Sequence, residues 1–166
     1  CEMGGKNPTL VMPSADLDQA AEIVKNGAFG VTGQACTACS RAIVHEDVYD
    51  EFLERIVAEA ESIEIGPGLD DPDMGPHVSE SELEGTLEYI EIAKEDGATL
   101  ATGGSRVTDG PCGDGYFVEP TVFTDVERDM RIANEEVFGP VLAVIPISDL
   151  ADGIAVANSV DYGLSA

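Results

Sequence analysis

The chain has 166 residues, 43% of them hydrophobic, with eight basic side chains against 33 acidic ones for a formal net charge of -25. A folded domain of that size buries about 70% of the surface its unfolded chain exposes, so the core needs no covalent staples, and no apolar run approaches the roughly 18 residues of a membrane-spanning helix. The charge argues against nucleic acid as a partner, because phosphate contacts need Lys and Arg, and lysine occurs only at Lys6, Lys25 and Lys94.

The first element is a short apolar strand, Asn7 to Met12, stopped by Pro13. The stretch "SADLDQAAEIVKNGAF" then spaces Leu17, Ala20, Ala21, Val24 and Ala28 along one helical face, with Asp16 or Ser14 able to cap it. A strand is expected at Arg41–His45. It leads into an amphipathic helix, Val48–Ile63, with Phe52, Ile56, Val57 and Ala60 in its stripe. A loop rich in Gly, Pro and Asp covers 66–79, and a second long helix runs from Glu80 until Gly97 ends it. Residues 98–104 read as a strand into a turn, and a Gly/Asp loop then carries Cys112. Gly115–Val126 is extended but broken at Pro120. "MRIANEEV" reads as a short helix, Pro140–Ile147 as a buried strand, and "LADGIAVANSV" as a helix despite Gly153. Strands alternating with helices predict an α/β domain whose largely parallel sheet is covered on both faces. No internal repeat interrupts the pattern.

The acidic residues are spread along the chain rather than gathered in a tail. Charge at this density can signal disorder, but the regular apolar spacing argues for a folded surface covered with carboxylates. Such a surface repels itself in dilute salt and is screened at high salt, so a salt-loaded cytosol is the expected setting. Cys1, Cys36, Cys39 and Cys112 could form two bridges. With no secretory signal visible and an adequate core, free thiols are the better reading. The chain begins at Cys1 rather than at a methionine, and so reads as a piece of something longer.

Three stretches carry candidate chemistry. "CEMGGKNP" sets Glu2 before two glycines, which allow a tight corner and close backbone approach; an exposed terminal acid is the plainer alternative. "GQACTACSR" places Cys36 and Cys39 in a C-x-x-C pair between a helix and a strand. A thioredoxin-like motif should instead follow a strand and open a helix. A zinc site would have to recruit His45, His77, Cys1 or Cys112, none at paired spacing. A single nucleophile, a redox or metal pair and two buried structural cysteines all remain open on these residues alone. "NEEVFGPVLAVI" offers an acid and a phenylalanine two residues apart, which is either a plain helix end or a grip on a ribose and a flat ring.

Taken together, "EMGGKNP", "F-x-x-x-GQACTA" and "EEVFGPV" resemble the general-base, nucleophile and nicotinamide-ribose motifs of the aldehyde dehydrogenase superfamily, in the same order and register. Glu2 lies 34 positions before Cys36, and Glu136 lies 100 after it. "GYFVEPTVF" and "YGLSA" look like family sequence too, so the resemblance covers essentially the whole chain. It implies the three-layer α/β/α catalytic domain of that fold, here over residues 1–166 as a partial domain without the dinucleotide-binding domain or the C-terminal oligomerisation strand. It implies Cys36 as nucleophile, Glu2 as general base, and Glu136 and Phe138 as contacts to NAD or NADP, with no metal. The activity implied is oxidation of an aldehyde to a carboxylic acid in a cytoplasmic homo-oligomer, dimer or tetramer. The text around "DMGPHVSESELEGTLEYIEIAKEDGATLATGG" most resembles enzymes acting on α-ketoglutarate semialdehyde (2,5-dioxopentanoate). Two features depart from the family pattern: Cys1 stands where an aliphatic residue is usual, and Val31 where many members have Asn. The rival readings are a catalytically inactive fragment and a thiol-redox or binding module using Cys36 and Cys39.

Overall fold

The computed structural model describes residues 3–166; Cys1 and Glu2 lie outside the described residues. Its elements in chain order are β1 (Asn7–Val11), α1 (Leu17–Phe29), β2 (Cys39–His45), α2 (Tyr49–Glu61), α3 (Glu80–Asp96), β3 (Thr99–Thr102), β4 (Arg106–Val107), β5 (Phe117–Val118), β6 (Thr121–Thr124), α4 (Arg131–Asn134), β7 (Val141–Ile147) and α5 (Leu150–Ala157). Five strands form one sheet in the order β1-β2-β7-β6-β3. The pairs β1/β2, β2/β7 and β6/β7 are parallel, and β3 joins β6 antiparallel at the edge. Strands β4 and β5 make a separate small hairpin.

Alternation along the strands builds the two cores. Ala42 and Val44 of β2, Val122 of β6, and Leu142 and Val144 of β7 face one way, onto Ala21, Val24 and Ala28 of α1 and Phe52, Ile56 and Ala60 of α2. Ile43, Phe123, Ala143, Ile145 and Ile147 face the other way, onto Leu83, Ile90 and Ala93 of α3, Ile132 and Ala133 of α4 and Val156 of α5. A period of two on a sheet buried on both sides gives the three-layer α/β/α architecture that the sequence pattern predicted. No helix among the described residues is long and apolar enough to cross a membrane.

Local signals explain most of the boundaries. Asp16 accepts from the Gln19 amide and starts α1; Ser79 does the same for α3 through the Glu82 amide. Gly97, at φ 106°, closes α3 in the left-handed region. Gly153 lies on the face of α5 that meets the sheet, where a Cβ would come within 2.7 Å of the Ile147 side-chain tip and 3.1 Å of that of Leu10, so glycine lets the helix sit close without moving them. Some elements differ from the sequence reading. Strand β2 begins two residues earlier than expected, at Cys39, and α5 ends three residues earlier, at Ala157. The helix expected over 130–137 is a single turn, because Glu135 adopts extended backbone (φ -97°, ψ 144°) and leads the chain into the turn before β7.

Candidate active site

The three motif stretches are distant in sequence but converge in the fold. Each one runs directly into a parallel strand: residues 3–6 into β1, 30–38 into β2 and 135–140 into β7. Because β1, β2 and β7 are consecutive neighbours in the sheet, all three stretches reach the same edge, at the amino ends of the strands. Open α/β sheets usually bind ligands at the carboxyl ends; here the motif residues lie at the opposite edge.

Gly5 is the hub of this edge. Its N–H donates to Glu136 Oε1 at 2.8 Å. A Cβ on Gly5 would lie only 2.1 Å from the Cys36 carbonyl oxygen, so the approach of the two backbones requires glycine. Gly4 is at φ 77°, and a Cβ there would come within 3.0 Å of the other Glu136 oxygen, Oε2, and 2.9 Å of the Tyr162 ring. The backbone of Cys36 and the carboxylate of Glu136 therefore meet at one residue of the "EMGGKNP" stretch. Glu2 lies outside the described residues.

The nucleophile stretch belongs to neither helix nor strand. Val31 (φ 53°), Thr32 (φ 59°) and Gly33 (φ 65°) adopt left-handed backbone in succession, and then a turn closed by Ala38 N–H to Ala35 O at 2.9 Å presents Cys36. Several contacts hold it. Thr32 Oγ1 donates to Gly75 O at 3.1 Å, and Gln34 Oε1 accepts from Val78 N–H at 2.9 Å, which fastens the loop to residues 75–78. On its other side, a Cβ on Gly33 would be 2.1 Å from Gly139 O, so the loop and the "FGP" turn pack backbone to backbone. That turn rests in its turn on His77 and Thr86: a Cβ on Gly139 would meet Thr86 Oγ1 at 2.2 Å, and His77 Nε2 bonds Thr86 Oγ1 at 2.9 Å. Burial holds the His77 imidazole below its ordinary pKa, so it is a neutral hydrogen-bonding post.

The two cysteines of the C-x-x-C pair have different surroundings. Cys36 is half-buried in the turn. Cys39 begins β2, is buried, and sets its sulfur 3.2 Å from Thr9 Oγ1; burial raises its thiol pKa. A raised pKa suits an inert structural cysteine rather than a reactive thiolate. Cys36, Cys39 and Cys112 are free thiols.

The two acids before Val137 are separated in the same way. Glu135 is engaged by the Arg131 guanidinium at 2.8 Å and by the Tyr89 hydroxyl at 2.7 Å, and the Arg131 bond holds its pKa down. Glu136 turns to Gly5, with one oxygen taken by a backbone amide. Phe138 is half-buried in the turn that follows.

Sequence reasoning missed the residues that support this edge. Asn7 Nδ2 donates to both Cys36 O (2.8 Å) and Ala38 O (2.9 Å). Arg41, fully buried, donates to the carbonyls of Lys6, Val156 and Ala157 and so ties β2 to the segment before β1 and to the end of α5. Only a charged residue in an otherwise apolar strand, and a polar residue opening one, hinted at either.

Comparison with known proteins gives the family and the fold. The aldehyde dehydrogenase family matches over residues 1–166. Among curated relatives, the α-ketoglutarate semialdehyde dehydrogenase of Haloferax volcanii is 66% identical over 99% of this chain and 34% of its own length. The 2,5-dioxopentanoate dehydrogenase of Saccharolobus solfataricus is 48% identical over the same shares. Among solved structures, a 1-pyrroline-5-carboxylate dehydrogenase from Thermus with bound NAD superposes with a TM-score of 0.93 at 46% identity, covering 98% of this chain and 31% of that one. A betaine aldehyde dehydrogenase from Staphylococcus aureus in complex with NAD+ gives 0.96 at 39%, covering 98% and 32%. The chain thus spans about a third of the length of the relatives it matches.

Proposed function

Since the chain belongs to the aldehyde dehydrogenase family, we propose that it supplies the nucleophile, the general base and part of the coenzyme grip of an NAD(P)-dependent enzyme that oxidises α-ketoglutarate semialdehyde to the dicarboxylic acid. In this reading residues 1–166 are part of a catalytic domain that works in a longer chain of the relatives' length. The observation that carries it is the convergence at Gly5, where the Cys36 backbone and the Glu136 carboxylate meet.

The residues present fit a dinucleotide's nicotinamide end. Glu136 has one carboxylate oxygen anchored on Gly5 N–H, which fixes its direction and leaves lone pairs able to accept from ribose hydroxyls. Phe138 follows two residues on, in the same turn, where it would pack near the ring. When bound, the coenzyme supplies the hydride acceptor. Cys36 thiolate attacks the aldehyde carbon, forming a C–S bond while the carbonyl electron pair moves to oxygen. The backbone N–H of Cys36 donates to that oxyanion. Loss of hydride from the same carbon leaves a thioester on Cys36. Glu2 then takes a proton from water, the hydroxide oxygen adds to the thioester carbon, and the C–S bond breaks to release the carboxylic acid and restore the thiolate.

The substrate rests on the relatives at 66% and 48% identity, both named for this semialdehyde. A cytoplasmic setting is supported by the free thiols, and the proposal includes a homo-oligomer, dimer or tetramer, in line with the family. The test is kcat/KM of the enzyme of full length in molar KCl, with α-ketoglutarate semialdehyde against pentanal, an uncharged aldehyde of equal carbon count. Preference for the semialdehyde by about 100-fold or more is expected. Equal values would remove the substrate assignment, and no oxidation of either would remove the dehydrogenase reading.

A further inference from the structure

We propose that Asn7 is the positioning residue for Cys36, fixing the peptide planes that follow Cys36 and Ala38 in the turn that carries the thiol; this deepens the dehydrogenase reading and rests on it. Cys36 lies outside regular secondary structure, so no helix or sheet ladder sets its backbone. Asn7 does so from the first position of β1, a rigid neighbour. Its side chain is buried, and both N–H bonds of its amide are spent on this turn, one on Cys36 O at 2.8 Å and one on Ala38 O at 2.9 Å. Its oxygen accepts from Ser165 N–H at 3.1 Å, which holds the amide in the donating orientation. Three of the four hydrogen-bonding positions of the amide are used, and none goes to the protein's regular ladders.

The consequence for chemistry follows from the chain geometry. A fixed Cys36 carbonyl fixes the rotation about the Cys36 Cα–C bond. Gly5 closes off the other side, because its backbone packs against the same oxygen. The plane before Cys36 is held by the Ala38 N–H bond to Ala35 O at 2.9 Å. With the planes on either side of Cys36 fixed, the thiol and the Cys36 N–H that would receive the oxyanion keep a constant relation, and a displacement of about 1 Å at such a site can cost about 100-fold in rate.

Asn is specific here. Asp has the same size and shape but, ionised, offers only acceptors, and it would present oxygen to two carbonyl oxygens. Ser can donate once, with a shorter reach.

The test compares Asn7→Asp and Asn7→Ser with the parent enzyme of full length. Hydrogen exchange read by mass spectrometry reports on the peptide spanning 35–38, and single-turnover absorbance of reduced coenzyme reports hydride transfer. The expected result for Asn7→Asp is exchange at 35–38 faster by tenfold or more with the strands β2 and β7 unchanged. Hydride transfer should be slower by about 100-fold with coenzyme KM within about threefold. Asn7→Ser should fall between, and it carries the test if the Asp variant does not fold. Unchanged exchange at 35–38, or faster exchange with an unchanged hydride-transfer rate, overturns the proposal. A loss confined to coenzyme KM also overturns it. A parent enzyme that oxidises no aldehyde sinks the dehydrogenase reading itself, and the exchange result then still decides whether Asn7 holds the Cys36 turn.

Discussion

Replacing Lys6 by Met should make the protein more stable at pH 6 and progressively less advantaged as the pH rises. Lys6 is only 2% exposed, and its pKa is brought down from 10.5 to about 7, chiefly by burial and then by the Arg41 guanidinium, with Glu136 and Glu135 opposing. Between the folded value of about 7 and the unfolded 10.5, the unfolded chain holds a proton that the folded chain has released. Stability must therefore rise with pH across that window: the penalty is full below pH 7 and gone above 10.5. At about 1.4 kcal/mol per pH unit the full penalty is on the order of 5 kcal/mol, and about 2 kcal/mol of it is relieved between pH 6 and 8.5. Methionine keeps most of the volume and carries no charge, so the gap between variant and parent should shrink by about 2 kcal/mol over that interval. Urea unfolding of both proteins at constant molar KCl, at several pH values, measures the gap directly. Cys39, whose buried thiol is raised, imposes the opposite slope as the unfolded thiol ionises, but it is present in both proteins and so largely drops out of the gap between them. A gap that stays level, within about 0.5 kcal/mol, would show that Lys6 keeps its proton throughout and would refute the reasoning.

Val31→Asn should raise the melting temperature. Val31 sits at φ 53°, ψ 30°, is 77% exposed, and is β-branched, so it bears a left-handed cost of roughly 1–2 kcal/mol with little packing to lose. Asn tolerates that region, and a gain of about 2–4 °C in a thermal melt is expected; no gain would mean that the loop relaxes elsewhere. Salt should matter more than composition alone suggests. Lys6 and Arg41 are buried and so are lost to the acidic surface. The Debye length falls from about 10 Å at 0.1 M to about 3 Å at 1 M. Melts across a KCl series should show stability rising steeply over that range, and a flat series would remove the halophilic reading.

The sheet and its covering helices were legible in the sequence because periods of two and 3.6 are written in single stretches: Val11, Ala42 and Leu142 face one layer, and Ile43 and Ala143 the other. The antiparallel edge strand β3 was not legible as such, since four residues carry no signal of direction. The site was partly readable. Val31 stood out as a departure from Asn, and the left-handed backbone supplies the physical reason. Which acid of the Glu135–Glu136 pair turns toward Gly5 depended on Arg131 and Tyr89, the latter 46 positions away from Glu135. The C-x-x-C ambiguity had the same origin: spacing cannot show that Cys39 is sealed against Thr9 while Cys36 is left in a turn. Asn7 was invisible as a partner of Cys36, because the bond spans 29 positions and depends on β1 and β2 lying side by side.

The central claim is that Cys36 carries the acyl group and Glu2 activates the water that removes it. The most direct measurement is mass spectrometry of the Glu2→Gln enzyme of full length, quenched after mixing with aldehyde and coenzyme. The account predicts one acyl adduct per chain, mapped to the peptide containing Cys36 and absent from Cys36→Ala, while Cys39→Ser still forms it. An adduct on Cys39, or a Glu2→Gln enzyme that hydrolyses its thioester at the parental rate, would contradict it.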